Sequence, residues 1–88
     1  MKTTFQSSFA KDLRSIKDQS LRDQVAELIL AVEQAADLSA VPNLKRLHGP
    51  GRYYRVRLGD YRVGLAVRGS VVSFVRCLNR KEIYRYFP

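Results

Sequence analysis

Between Tyr53 and Arg62 the chain reads Tyr-Tyr-Arg-Val-Arg-Leu-Gly-Asp-Tyr-Arg, with arginines two apart at Arg55 and Arg57 and a third at Arg62, beyond a Gly59-Asp60 pair. An extended strand projects alternate side chains to one face, so Arg55 and Arg57 share a face. Gly-Asp flanked by alternating segments predicts a two-residue hairpin loop of type II′. That loop sets Leu58 opposite Tyr61, Arg57 opposite Arg62, Val56 opposite Val63 and Arg55 opposite Gly64. Three guanidinium groups then converge on one patch, bordered by Tyr53 and with no carboxylate among them. Like charges directly across a ladder cost stability unless an anion or a salt partner answers them. A phosphate is such an anion, because the planar guanidinium fork matches its oxygens. Converging cations would stabilise charge that grows at phosphorus during reaction. In the purely structural alternative, Asp60, Glu82 or acids of the N-terminal half pair with these arginines.

The charge distribution points the same way. Over the 88 residues, 16 lysines and arginines stand against 8 acids, a net charge of +8. Residues 1–43 hold five bases and six acids, a net of −1, whereas residues 44–88 hold eleven bases and only Asp60 and Glu82, a net of +9. Nine of those eleven bases are arginine. The C-terminal half therefore reads as a surface for nucleic acid. One cysteine, Cys77, and one histidine, His48, argue against an intrachain disulfide and against a metal-ligand cluster. The length suits a single domain with one modest core. No apolar run approaches a membrane span and the first residues lack the apolar stretch of a signal peptide, so a cytoplasmic protein is expected.

The elements that must position these side chains follow from periodicity. Phe9, Leu13 and Ile16 predict a short amphipathic helix capped at Ser7 or Ser8. Leu21, Val25, Leu28, Ile29 and Val32 predict a longer one over about 19–36. Two or three residues around Lys17-Asp18 separate them, as in an antiparallel helical hairpin. Before them, Lys2-Thr3-Thr4-Phe5 has the character of an edge strand. Ser39, Pro42, Gly49, Pro50 and Gly51 mark a connecting region that contains Leu44-Lys45-Arg46-Leu47. Tyr53–Leu58, Tyr61–Val67 and Val71–Leu78 then form a three-strand antiparallel meander turning at Gly59-Asp60 and Gly69-Ser70. The tail from Arg80 to Pro88 is expected as a short helical turn or irregular end. The fold class is α+β, with Tyr54, Val56, Leu58, Tyr61, Val63 and Leu65 facing the helices.

The second hairpin sets Val67 opposite Val72 and Leu65 opposite Phe74, both on the core face. Carried onward, the same count places Arg76 on the core face beside Val63 and Cys77 on the arginine face, unless a bulge resets the register. Cys77 is expected as a packed residue, not a nucleophile. His48, in the Leu47–Gly51 turn, is expected as a surface loop residue.

The helical hairpin, the stretch Tyr54–Gly64 (YRVRLGDYRVG) and the stretch Asn79–Phe87 (NRKEIYRYF) together resemble the RelE/ParE superfamily of bacterial toxins over nearly the whole chain. The resemblance implies the toxin of a type II toxin–antitoxin module, neutralised by a cognate antitoxin that wraps over it. Its RelE-like branch cleaves mRNA in the ribosomal A site; its ParE-like branch inhibits DNA gyrase. The RelE-like active site maps onto Arg55, Arg57, Arg62, Arg80 and Tyr84, and this set favours RNA cleavage over the alternatives, a ParE-like gyrase inhibitor or a relative that binds antitoxin and nucleic acid without cutting. Lys45, Arg46, Arg52, Tyr53, Asn79 and Lys81 complete the expected RNA-binding residues, and Lys11, Arg14 and Lys17 are further candidates to clamp the backbone. Partners implied are the antitoxin, the ribosome and mRNA; no metal or cofactor is expected.

Cleavage of this kind has the ribose 2′-hydroxyl attack the adjacent phosphodiester, leaving a 2′,3′-cyclic phosphate and a 5′-hydroxyl. In-line positioning and charge stabilisation suit Arg55, Arg57 and Arg62; Arg80 suits the departing oxygen. Arginine stays protonated, which leaves Tyr84 as the candidate base or stacking surface. The departure is Asn79, where many ribosome-dependent relatives have a histidine and where no proton can be transferred.

Overall fold

The computed structural model describes residues 1–88. Its elements are β1 (Lys2–Phe5), α1 (Ser7–Arg14), α2 (Gln19–Gln34), β2 (Leu44–Arg46), β3 (Tyr53–Leu58), β4 (Tyr61–Arg68), β5 (Val71–Asn79) and α3 (Ile83–Tyr86), with a 3₁₀ turn at Leu38–Ala40. The strands form one sheet in the order β1-β5-β4-β3-β2, in which only the β1–β5 pairing is parallel. No helix is long and apolar enough to cross a membrane.

The helical hairpin covers one face of this sheet. Asp18 caps α2 by accepting the Leu21 N–H at 3.3 Å, and Leu21, Val25, Leu28 and Val32 form its buried stripe. They join Phe9, Val56, Val63, Leu65, Val72 and Phe74 in a core of 16 buried residues. Full burial of each such aliphatic side chain contributes about 1.5–3 kcal/mol. The amino group of Met1 donates to the carbonyls of Val32, Glu33 and Ala35 at 3.1, 2.9 and 3.0 Å, which ties β1 to the end of α2.

The start and end of α1 differ from the sequence expectation. Its N-cap is Gln6, without a side-chain bond; Ser8 instead donates its hydroxyl to the Val75 carbonyl at 2.6 Å. The helix stops at Arg14, so four residues, Ser15–Asp18, make the connection. Ile16 still reaches the core from that connection. Arg22 closes the end of α1 by donating to the carbonyls of Leu13 and Ile16 at 2.7 and 3.1 Å.

Both meander turns are as predicted: φ is +58° at Gly59 and +59° at Gly69, and neither Asp60 nor Ser70 has a positive φ. Every expected pair of the β3–β4 hairpin forms. The additional strand is β2. Three residues are too few to show alternation, and Asn43, at φ +62°, turns the chain into it.

The register of β5 carries the one correction that changes the faces. Leu65 pairs with Phe74, but Gly64 pairs with Arg76, so Val75 is an extra residue in a β-bulge. The bulge reverses the alternation beyond it. Cys77 therefore lies opposite Val63 in the core at 1% exposure, not on the arginine face, and Arg76 leaves the core face. Side chains of α1 answer the backbone there: Ser8 takes the Val75 carbonyl, and an Asp12 carboxylate oxygen accepts the Cys77 N–H at 2.9 Å.

Burial, with the Asp12 carboxylate adding to it, pushes the Cys77 thiol up to about 12. A disulfide reagent at pH 8 is accordingly expected to label Cys77 only after denaturant unfolds the chain. Rapid labelling of the native protein would contradict this placement.

Candidate active site

The face turned away from the helices carries two cross-strand rows. Lys45, Arg55, Gly64 and Arg76 make the first; Arg57, Arg62 and Leu78 make the second. Arg57 lies directly opposite Arg62, as the turn requires. No carboxylate pairs with Arg55, Arg57 or Arg62: the two ion pairs of the structure are Arg76–Asp12 and Arg80–Asp60. Backbone carbonyls take their place. Arg55 donates to the Asn43 carbonyl at 3.2 Å, and Arg62 folds back to donate to the carbonyls of Gly59 and Tyr61 at 2.8 and 2.9 Å. The Arg55 Nε is buried with no partner, a charged donor facing a site that supplies no acceptor. Partial burial lowers the Arg62 pKa, and the charges of Arg55, Arg57 and Arg80 lower it further; the Tyr84 phenol acts in the opposite sense. A guanidinium so placed stays protonated at neutral pH but is short of negative charge.

Arg80 and Tyr84 reach this patch from beyond β5. The Arg80 N–H donates to the Asp60 carbonyl at 2.8 Å, which pins the start of the tail to the β3–β4 turn. Its guanidinium Nε lies 3.9 Å from the Asp60 carboxylate, an exposed pair that contributes little energy. Asn79 shapes the same turn: its side-chain oxygen accepts the Lys81 N–H at 3.0 Å and its carbonyl accepts the Glu82 N–H at 2.8 Å. Tyr84 is 59% exposed, while Ile83 and Phe87 on either side are buried outside the main core. Phe87 rests on Gly64, where any added Cβ would lie 2.8 Å from its ring, and Tyr53 meets it edge-on at 5.7 Å.

The structure thus brings Arg55, Arg57, Arg62, Arg80 and Tyr84 together and adds Lys45, which stands opposite Arg55. Two expected RNA-binding residues are elsewhere. Arg46 pairs with Tyr54, on the helical face, and Arg52 donates to the Tyr54 hydroxyl at 3.5 Å. Tyr53 is on the arginine face, packed against Phe87, and Lys81 and His48 are exposed. A groove of about 890 Å³ lies on the far side of Phe87, lined by Ala66, Ser73, Val75 and Tyr86 and by none of the patch arginines. Sequence reasoning missed Asn43, whose carbonyl orients Arg55, and left the bulge that delivers Arg76 as an open alternative; the positive φ of Asn43 has a local signal, since asparagine tolerates it.

Comparison with known proteins identifies the family and the fold. Residues 4–84 match the family described as the ParE toxin of the type II toxin–antitoxin system. Toxin RelE3 of Methanocaldococcus jannaschii is 36% identical over 89 residues, covering all of both chains. The crystal structure of a RelB–RelE antitoxin–toxin complex from Methanococcus jannaschii matches with a TM-score of 0.83 at 34% identity, over 97% of this chain and 99% of that one. An archaeal RelE–RelB complex from Pyrococcus horikoshii shares the fold, with a TM-score of 0.73 at 24% identity over 93% and 97% of the two chains.

The Arg57–Arg62 pair makes a test of its own. Arg57→Gln is expected to stabilise the free protein by roughly 0.5 kcal/mol by removing the cross-strand repulsion. Pyrophosphate is expected to raise the melting temperature of the parent more than that of the variant. A destabilised Arg57→Gln, or an equal response to pyrophosphate, would show that the pair is not an anion site.

Proposed function

The chain belongs to the ParE toxin family of type II toxin–antitoxin systems, within the RelE/ParE superfamily, and from that membership we propose that it is a RelE-like, ribosome-dependent endoribonuclease that cuts mRNA in the A site. The observation that carries the reading is the trio Arg55, Arg57 and Arg62, none of them paired with a carboxylate, beside an exposed tyrosine. In the proposed reaction the 2′-hydroxyl loses its proton, the bond from its oxygen to phosphorus forms, and the bond from phosphorus to the 5′-oxygen breaks. The departing 5′-oxygen takes up a proton from water and ends as a hydroxyl. Arg55, Arg57 and Arg62 hold the phosphate in line and answer the added negative charge, which a preorganised cluster does without reorganising. Arg80 answers the charge on the departing oxygen. Tyr84 is assigned to the 2′-hydroxyl proton and to stacking on the base.

Metal independence belongs to the proposal. No group of three His, Cys, Asp or Glu side chains converges in the fold, and the cations that would do a metal's electrostatic work are arginines. The proposed inhibitor is a cognate antitoxin, RelB being the partner in the archaeal complex from Methanococcus jannaschii; its acidic or apolar segment is proposed to cover Arg55, Arg57, Arg62 and Arg80. The place of action proposed is the cytoplasm, where ribosomes and mRNA meet.

Arg62→Ala and Arg80→Ala are each expected to lower the rate of mRNA cleavage by roughly 10²-fold while melting as cooperatively as the parent. A phosphorothioate at the scissile position is expected to slow cleavage equally in Mg²⁺ and Mn²⁺; rescue by Mn²⁺ would place a metal in the reaction. Two variants as toxic as the parent, together with inhibition of gyrase supercoiling, would replace this reading with the ParE-like one.

A further inference from the structure

The C-terminal turn is held by more than its buried anchors. At about 100° per residue, Tyr84 and Tyr86 lie on opposite flanks of α3, which the extended residue Phe87 closes. Ile83 and Phe87 are the buried pair. They set how deep the segment sits, with Phe87 pressed on Gly64. α3 spans only four residues, closed by the Phe87 N–H to Ile83 carbonyl bond at 2.8 Å, so two anchors fix its depth more firmly than its rotation. Rotation moves the flanks, and Tyr84 is on one of them.

The opposite flank is gripped. The Arg76 guanidinium stands 5.4 Å from the centre of the Tyr86 ring. Arg76 is itself fixed by a two-pronged contact with Asp12 of α1, Nε and a terminal nitrogen donating at 2.8 and 3.1 Å. The side chains of Arg76 and Asp12 are 24% and 9% exposed, so the pair is shielded from water, unlike Arg80–Asp60. Asp12 is in turn fixed by the Cys77 N–H. The bulge at Val75 is what turns Arg76 toward the tail.

We propose that Arg76, gripped by Asp12, is a positioning residue that fixes the rotation of the C-terminal turn through the ring of Tyr86 and so holds Tyr84 over the arginine patch. The role assigned to Tyr84 rests on the ribonuclease reading. Neither Arg76 nor Tyr86 touches RNA in this account. Both act through Tyr84.

The test is the steady-state rate of mRNA cleavage by Tyr86→Leu, Tyr86→Phe and Arg76→Met, each also made in a Tyr84→Ala background. Tyr86→Leu and Arg76→Met are expected to lower kcat about tenfold with KM changed less than about twofold, as a lost orientation does. Tyr86→Phe keeps the ring face and is expected to restore the parent rate. In the Tyr84→Ala background, where both the hydroxyl and the ring to be oriented are gone, Tyr86→Leu is expected to cost nothing further. Full activity of Tyr86→Leu, or an equal loss in both backgrounds, would overturn the proposal. If the parent cuts no RNA, the ribonuclease reading fails, and the proposal is decided by the NMR shifts of the Tyr84 ring. Movement in Tyr86→Leu and Arg76→Met but not in Tyr86→Phe upholds it; unmoved shifts overturn it.

Discussion

Which side of a sheet a residue occupies is decided by counting in twos, and the extra residue Val75 restarts that count within β5. Every later feature of the strand follows from the restart. Cys77 enters the core and Arg76 leaves it. The displaced backbone groups find partners on α1, where Ser8 and Asp12 sit four residues apart on one side of the helix. The same Asp12 then receives the guanidinium of Arg76. A single insertion thus joins the helical layer to the opposite face of the sheet.

That opposite face is built under electrostatic tension. Six of the eight acids lie in the N-terminal half, and none pairs with Arg55, Arg57 or Arg62. Arg55 and Arg62 settle for backbone carbonyls, and Arg57 faces Arg62 across the ladder. Stability is given up at such a place when something must bind there. The tail crosses the face and lands on Gly64, where only a residue without a side chain allows an aromatic ring to sit on the strand. Its buried residues Ile83 and Phe87 leave Tyr84 exposed beside the cations.

Much of this was legible in the residues. The β3–β4 register and the placing of Arg55, Arg57 and Arg62 on one face follow from one Gly-Asp turn and strict alternation, both local signals. The two helices follow from their apolar spacing, although α1 ends early because Ile16 packs from the connection. The bulge was not legible beyond the discomfort of a buried arginine, since it depends on α1 offering Ser8 and Asp12 to the β5 edge, a contact some 65 residues distant in sequence. Nor was the strand β2, which places Lys45 beside Arg55 and turns Arg46 away. Asn79 reads differently once its bonds to Lys81 and Glu82 are seen: it shapes the turn that delivers Arg80.

The central claim is that the face on which Arg55, Arg57 and Arg62 have no carboxylate partner cleaves mRNA within the ribosome. It is tested most directly by adding the free toxin to a translating extract and mapping new mRNA ends by primer extension, with ribosomes present and with ribosomes removed. The account predicts cuts at A-site positions only with ribosomes, leaving 5′-hydroxyl ends. No cuts in either sample, or the same cuts without ribosomes, would contradict it.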